Sequence, residues 1–245
     1  MNSKSTRAKL RAFFNSSAAR NLKGQLCDIG RRMWQREYVD GNGGNLALRV
    51  GTDLALCTPT LVSKGFMKPE DICLVDFEGN QLAGSKKPTS EILMHLQIMR
   101  RQPRAVATCH GHPPCSTGFA VAGKLPPTGL VSEFELFVSL AIVPYRTPGT
   151  PELGRLVAQL ADRHNTLSLA NHGVVSWSHV NLEDAYFKIE ILEAYCRTIL
   201  ATKQTGLPAK AMTPAQLVDL LKIKKRLGVP DPRHDRKQIQ IGDNR

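Results

Sequence analysis

Long apolar runs are missing from this 245-residue sequence: none approaches the ~18–20 residues that a membrane-spanning helix needs. The basic start M-N-S-K-S-T-R-A-K-L-R lacks the apolar centre of a secretory signal. It shares Arg, Ser and a lack of acids before Asp28 with organelle transit peptides, but helical periodicity begins soon after, so a cytoplasmic location is expected. The six cysteines (Cys27, Cys57, Cys73, Cys109, Cys115, Cys196) contain no C-x-x-C pair. A chain of this length builds a core without cross-links, so reduced, buried thiols are expected. Aromatics are few, at 6%. That disfavours a nucleic-acid surface, where basic and aromatic side chains alternate on the fold.

Excess charge is also absent from the middle of the chain. The net +12 divides into 9 Lys/Arg against 3 Asp/Glu over residues 1–40 and 10 against 4 over 203–245, with 14 of each between. Solvated helix faces and a polar tail account for such ends; a weak attraction to polyanions is the other reading.

Leu22, Leu26, Ile29 and Met33 recur at helical spacing and predict a helix over about 18–38. After Gly41-Asn42-Gly43-Gly44, the alternation Leu46–Val50 predicts a half-buried strand. Further strands are expected at 54–57, 72–75, 105–110, 140–143, 166–170 and 174–177. Helices are expected after Pro88-Thr89-Ser90-Glu91, from Thr150-Pro151-Glu152, over 182–203 and over 213–227. This mixture predicts a single α/β or α+β domain without clean βαβ alternation. The expected boundaries are a basic extension (1–17), a folded domain (18–227) and a polar tail without core pattern (228–245).

His110-Gly111-His112 ends an apolar strand. Side chains two apart on a strand share a face, so both imidazoles can bind one metal ion, at ~2.0–2.1 Å. The pair also fits core-edge histidines. His172, in the turn Asn171-His172-Gly173, is a candidate third ligand or an ordinary turn residue. Three protein ligands plus an open position is the catalytic zinc pattern. Glu91 follows Thr89-Ser90 at a helix start, where the dipole favours an acid and free N–H groups suit an oxyanion. Gly41–Asn45 and Thr58–Thr60 are further candidate anion cradles.

In order, G-N-G-G-N (41–45), T-P-T (58–60), K-P-T-S-E (87–91), C-H-G-H-P (109–113), P-Y-x-x-P-G-T (144–150) and N-H-G (171–173) resemble the class II aldolase/adducin superfamily, whose members include fuculose-1-phosphate aldolase. The likeness spans about residues 20–225. It implies a mixed, mainly antiparallel sheet flanked by helices and a homotetramer with sites at subunit interfaces. It implies zinc, or another divalent metal such as Mn²⁺ or Co²⁺, on His110, His112 and His172, with Glu91 as catalytic acid/base. Asn45, Thr60, Thr89 and Ser90 are implied to hold the substrate phosphate. The implied reaction cleaves a ketose 1-phosphate to dihydroxyacetone phosphate and an aldehyde through a metal-stabilised enediolate.

Glu91 helps to sort the chemistries of that scaffold. The related pentulose-phosphate 4-epimerases carry Asp there and the methylthioribulose-phosphate dehydratases lack the acid. Glutamate is shared with decarboxylases of oxo-sugar-acid phosphates, the alternative reading. The stretch T-S-E-I-L-M-H-L (89–96) is similar to aldolases for 5-deoxy- or methylthio-pentulose phosphates. A metal-free scaffold, like the adducin head domains, is opposed by the intact histidine trio. Two departures stand out: Leu61 follows T-P-T where the family usually has glycine, and Leu130 stands where the aldolases place a proton-donating tyrosine, with Glu133 as the nearby alternative acid.

Overall fold

The alternation Leu46-Ala47-Leu48 sends large side chains to one side of a strand and a small one to the other, and neighbouring strands repeat it. In the structure, a computed structural model that describes residues 1–235, these strands join one eight-stranded sheet. Its members are β1 (Asn45–Arg49), β2 (Leu54–Cys57), β3 (Cys73–Asp76), β4 (Gln81–Ala83), β5 (Ala107–Gly111), β6 (Leu140–Val143), β7 (Thr166–Leu169) and β8 (Gly173–Ser178). The spatial order is β4-β3-β2-β1-β5-β8-β7-β6, antiparallel throughout except for the parallel β6–β7 pair. This is the expected mixed, mainly antiparallel sheet.

Helices cover both faces. On one, α2 (Ser17–Gln35) and α7 (Leu182–Gln204) bring Leu26, Met33, Ile189 and Leu192 onto Leu46, Leu48, Leu54 and Leu56. On the other, α3 (Ile92–Arg101) and α6 (Pro151–Leu160) bring Leu96, Met99, Leu153 and Val157 onto Ala47, Ala55, Val75 and Trp177. Each buried Leu, Ile, Val or Met among them contributes roughly 1.5–3 kcal/mol by leaving water. β1 is therefore buried on both faces, not half-buried: its small Ala47 leaves room for a helix on that side. Thr150 caps α6 by accepting from the Leu153 N–H, and Asn181 caps α7 by accepting from Asp184.

Four short elements, 3-10 turns aside, go beyond the sequence expectations: β4, α1 (Arg7–Phe14), α4 (Pro114–Val121) and α5 (Ser132–Phe137). The basic extension is docked through the buried Leu10 of α1, while Ser3 donates to Asp53 at 2.8 Å. The last helix, α8 (Pro214–Arg226), begins with Thr213 and Gln216 in a capping box.

The expectation of a featureless tail from 228 is corrected over residues 228–235. Val229 and Asp231 are buried, and Pro232–Asp235 forms a short 3-10 turn. Asp231 accepts from Lys224 at 2.6 Å, and Arg233 pairs with both Asp231 and Glu135 at 2.8 Å. Charged residues thus form a buried network that an apolar pattern cannot reveal. The rest of the expected tail, 236–245, lies outside the described residues.

Candidate active site

Register sets the site. Asn45 lies opposite His110 in the β1–β5 pair, and His110 lies opposite Val175 in the β5–β8 pair. His112 follows the end of β5 and His172 fills the turn between β7 and β8. The three histidines converge, with one nitrogen of each within 4.8 Å of the others. His110 is wholly buried; the other two are partly exposed.

Two backbone devices make this approach possible. Asn171 adopts a left-handed conformation (φ 55°), which asparagine tolerates better than most residues. A Cβ at Gly173 would come within 2.5 Å of the Gly111 carbonyl oxygen and 2.6 Å of the His112 ring, so glycine allows the two segments to touch.

The donor chemistry fits a divalent cation. The Nδ1 of His110 donates to the Val174 carbonyl at 2.9 Å, and that of His112 to the Asp40 carboxylate at 3.3 Å. Each imidazole is thereby set with its Nε2 lone pair free, and the two Nε2 atoms face each other at 3.2 Å. Facing lone pairs repel unless a cation or proton lies between them. Burial, then the neighbouring imidazoles, hold His110 well below the ordinary histidine range, and burial lowers His172 as well. Neutral imidazoles are what a metal requires.

Glu91 stands beside the cluster, its Oε2 3.4 Å from His110 Nε2 and its Oε1 3.6 Å from His172 Nε2. It occupies the cap position before α3 rather than the first helical turn and makes no cap hydrogen bond. Its carboxylate is turned to the histidines instead. Asn45 donates to its Oε2 at 2.9 Å, whereas Oε1 and His172 Nδ1 are buried without a hydrogen-bond partner.

Asn45, expected in the phosphate cradle, therefore has its side chain committed to Glu91 and, through Oδ1, to His95 at 2.5 Å. The other cradle residues do come together. Pro59 and Pro88 form an antiparallel bridge, Thr60 N–H donates to the Lys87 carbonyl, and Thr89 N–H donates to that of Thr58, both at 3.0 Å. Thr89 is buried, its hydroxyl accepting from the Glu91 N–H at 3.3 Å, while Ser90 is exposed. Gly149 lies against the Ser90 carbonyl, bringing P-G-T to the same place. Leu61 has φ 56° and is 78% exposed, so this chain places leucine in a conformation that glycine adopts freely. Leu130 is half-buried against the core and Glu133 is exposed.

His95, Thr108, Asp40 and Glu193 are site-supporting residues that sequence reasoning passed over. His95 offered a signal: it is a polar residue among the apolar positions of α3, one turn after Glu91. Glu193 of α7 accepts from the N–H groups of Cys115 and Ser116 at 3.1 and 2.8 Å, securing the start of α4 directly after the His112-Pro113 step.

Known proteins share this arrangement of chain. The family described as Class II Aldolase and Adducin N-terminal domain matches residues 24–200. An L-fuculose phosphate aldolase of Methanococcus maripaludis is 37% identical over 170 residues, covering 69% of this chain and 91% of its own. A 3-oxo-tetronate 4-phosphate decarboxylase of Haemophilus influenzae is 29% identical over 200 residues, covering 80% and 93%. Among solved structures, YgbL of Escherichia coli superposes with a TM-score of 0.77 at 27% identity, covering 83% of this chain and 99% of its own. An L-fuculose 1-phosphate aldolase superposes with 0.74 at 25%, covering 86% and 97%. The chain belongs to the class II aldolase/adducin superfamily and is fuculose-1-phosphate aldolase-like.

Proposed function

We propose that this chain is a zinc-dependent lyase that cleaves a ketose 1-phosphate, with 5-deoxy- and methylthio-pentulose phosphates as the leading candidates, into dihydroxyacetone phosphate and an aldehyde. The observation that carries the reading is the placement of the Glu91 carboxylate 3.4 and 3.6 Å from two members of a three-histidine cluster. His110, His112 and His172 would hold the ion, with Mn²⁺ or Co²⁺ as substitutes. When bound there, it supplies Lewis acidity and a positive charge that favours an enediolate. Glu91, with Oε1 free, takes and returns the proton that cleavage displaces. Thr60, Thr89 and Ser90 offer hydroxyls to the substrate phosphate. Asn45 serves the carboxylate instead of the phosphate. The active form is a cytoplasmic homotetramer with sites at subunit interfaces, and Leu130 itself offers no group for proton transfer.

A second reading has its own support, in the relative named as a 3-oxo-tetronate 4-phosphate decarboxylase, which matches over 93% of its length. Loss of CO₂ from an oxo-acid phosphate needs the same enediolate stabilisation. A paired product assay separates the two. Dihydroxyacetone phosphate is expected from a ketose 1-phosphate, lost in His110→Ala and lowered ~10²–10⁴-fold in Glu91→Gln. CO₂ released from an oxo-sugar-acid phosphate, with no dihydroxyacetone phosphate from ketoses, overturns the aldolase reading in favour of the decarboxylase.

A further inference from the structure

We propose that His95 is a positioning residue for Glu91: it locks the Asn45 amide so that the amide nitrogen holds one carboxylate oxygen and leaves the other facing the histidine cluster. The inference deepens the lyase reading and rests on it for the role of Glu91.

Four side chains form a line. Thr108 Oγ1 lies 2.6 Å from His95 Nδ1, His95 Nε2 lies 2.5 Å from Asn45 Oδ1, and Asn45 Nδ2 lies 2.9 Å from Glu91 Oε2. All four residues are buried, His95 and Thr108 completely. The direction of every bond follows from the last one. An ionised carboxylate only accepts, so Asn45 presents its NH₂ to Glu91 and its Oδ1 to His95. His95 Nε2 must then donate, which leaves Nδ1 as an acceptor for the Thr108 hydroxyl. The alternative acceptor for that hydroxyl, the Ala47 carbonyl, is more distant at 3.5 Å.

An amide has two faces of similar shape and opposite polarity, so an Asn45 without a fixed partner can turn its oxygen toward Glu91. Two oxygens would then meet, and the carboxylate would rotate away from His110 and His172. His95 removes that option because its donor is held from behind by β5 and delivered one helical turn after Glu91 on α3. Burial keeps this imidazole neutral at working pH, its value lowered to about 4 against an opposing pull from Glu91. The tautomer is therefore stable as well as directed.

The test compares His95→Leu, which removes the donor, with His95→Gln, whose amide N–H can replace it. Removing a supporting partner of this kind is expected to lower kcat by ~10–100-fold, with KM shifted less than ~3-fold. His95→Gln should stay within ~5-fold of the parent chain. In a Glu91→Gln background, His95→Leu should cost under ~3-fold more, since its effect passes through Glu91. Equal losses in both backgrounds, or full activity in His95→Leu, overturn the proposal. A readout without turnover comes from ¹⁵N-histidine NMR of the whole chain. It should show His95 neutral with Nε2 protonated from about pH 5.5 to 8. An Nδ1-protonated ring overturns the proposal even where catalysis is normal. If the parent chain cleaves no ketose phosphate, the lyase reading fails separately, and the tautomer alone decides the position of the Asn45 amide.

Discussion

His95 and His164 are held neutral by their surroundings, and that has a consequence for acid stability. Burial lowers both to about 4, opposed by Glu91 at His95 and by Asp231 at His164. Between about pH 6.5 and 4 the unfolded chain therefore binds more protons than the folded one. Stability rises with pH through that window and is lost as pH falls. For the wholly buried His95 the shift corresponds to about 3 kcal/mol, as an order of magnitude. Urea unfolding at pH 7, 5.5 and 4.5 should show a falling midpoint, with a shallower fall in His95→Gln. Identical pH profiles for parent and variant would contradict this account. At this scale the sequence spoke clearly where a residue's spacing has one geometric meaning. His110 and His112 share a strand face by period two, and Asn171 and Gly173 flank a turn. For Asn45 the loop motif does not state which partner its side chain meets, and the structure sets it against Glu91 and His95.

Among the elements, α4 shows how a start signal can be hidden. Pro114 stands at the first turn, a usual place for proline, but the residue before it is another proline and offers no side-chain cap. The cap comes from Glu193 on α7, 78 positions away from Cys115, and Arg197 shares that carboxylate at 3.1 Å. No local pattern can announce such a partner. Because Glu193 is fully buried, Glu193→Ala leaves the Cys115 and Ser116 N–H groups without their acceptor. The expected loss is ~2–3 kcal/mol in chemical denaturation, with weaker retention of an added divalent ion, since His112 is two residues before the helix. A loss under ~0.5 kcal/mol would show that water or Pro113 serves the helix start equally well. The long helices and central strands were legible for the opposite reason. Their caps, such as Thr150 and Asn181, and their apolar periods are local. The three-residue β4 and six-residue α5 are too short to display a period.

On the scale of the whole molecule, the basic stretches fold back onto the domain at residues 7–14 and 214–235. α1 lies against β4, and Lys224, Asp231 and Arg233 close a buried ionic cluster around Glu135. Burying such charges is favourable only with every partner present, which is why polarity alone suggested a loose tail. Among the described residues, no helix is long and apolar enough to cross a membrane. The candidate site draws on positions 45, 91, 110–112 and 172, far apart in sequence and joined by the β1–β5–β8 pairing. Sequence order hinted at this company through resemblance; only the fold gives the distances. The central claim is that the histidine trio exists to hold a divalent ion for an enediolate-forming reaction. Its most direct test is the metal content of the purified chain after equilibration with Zn²⁺, Mn²⁺ or Co²⁺ and removal of free ion. About one ion per chain is expected, with loss in His110→Ala. Less than about a tenth of an ion per parent chain, under all three metals, would contradict the account.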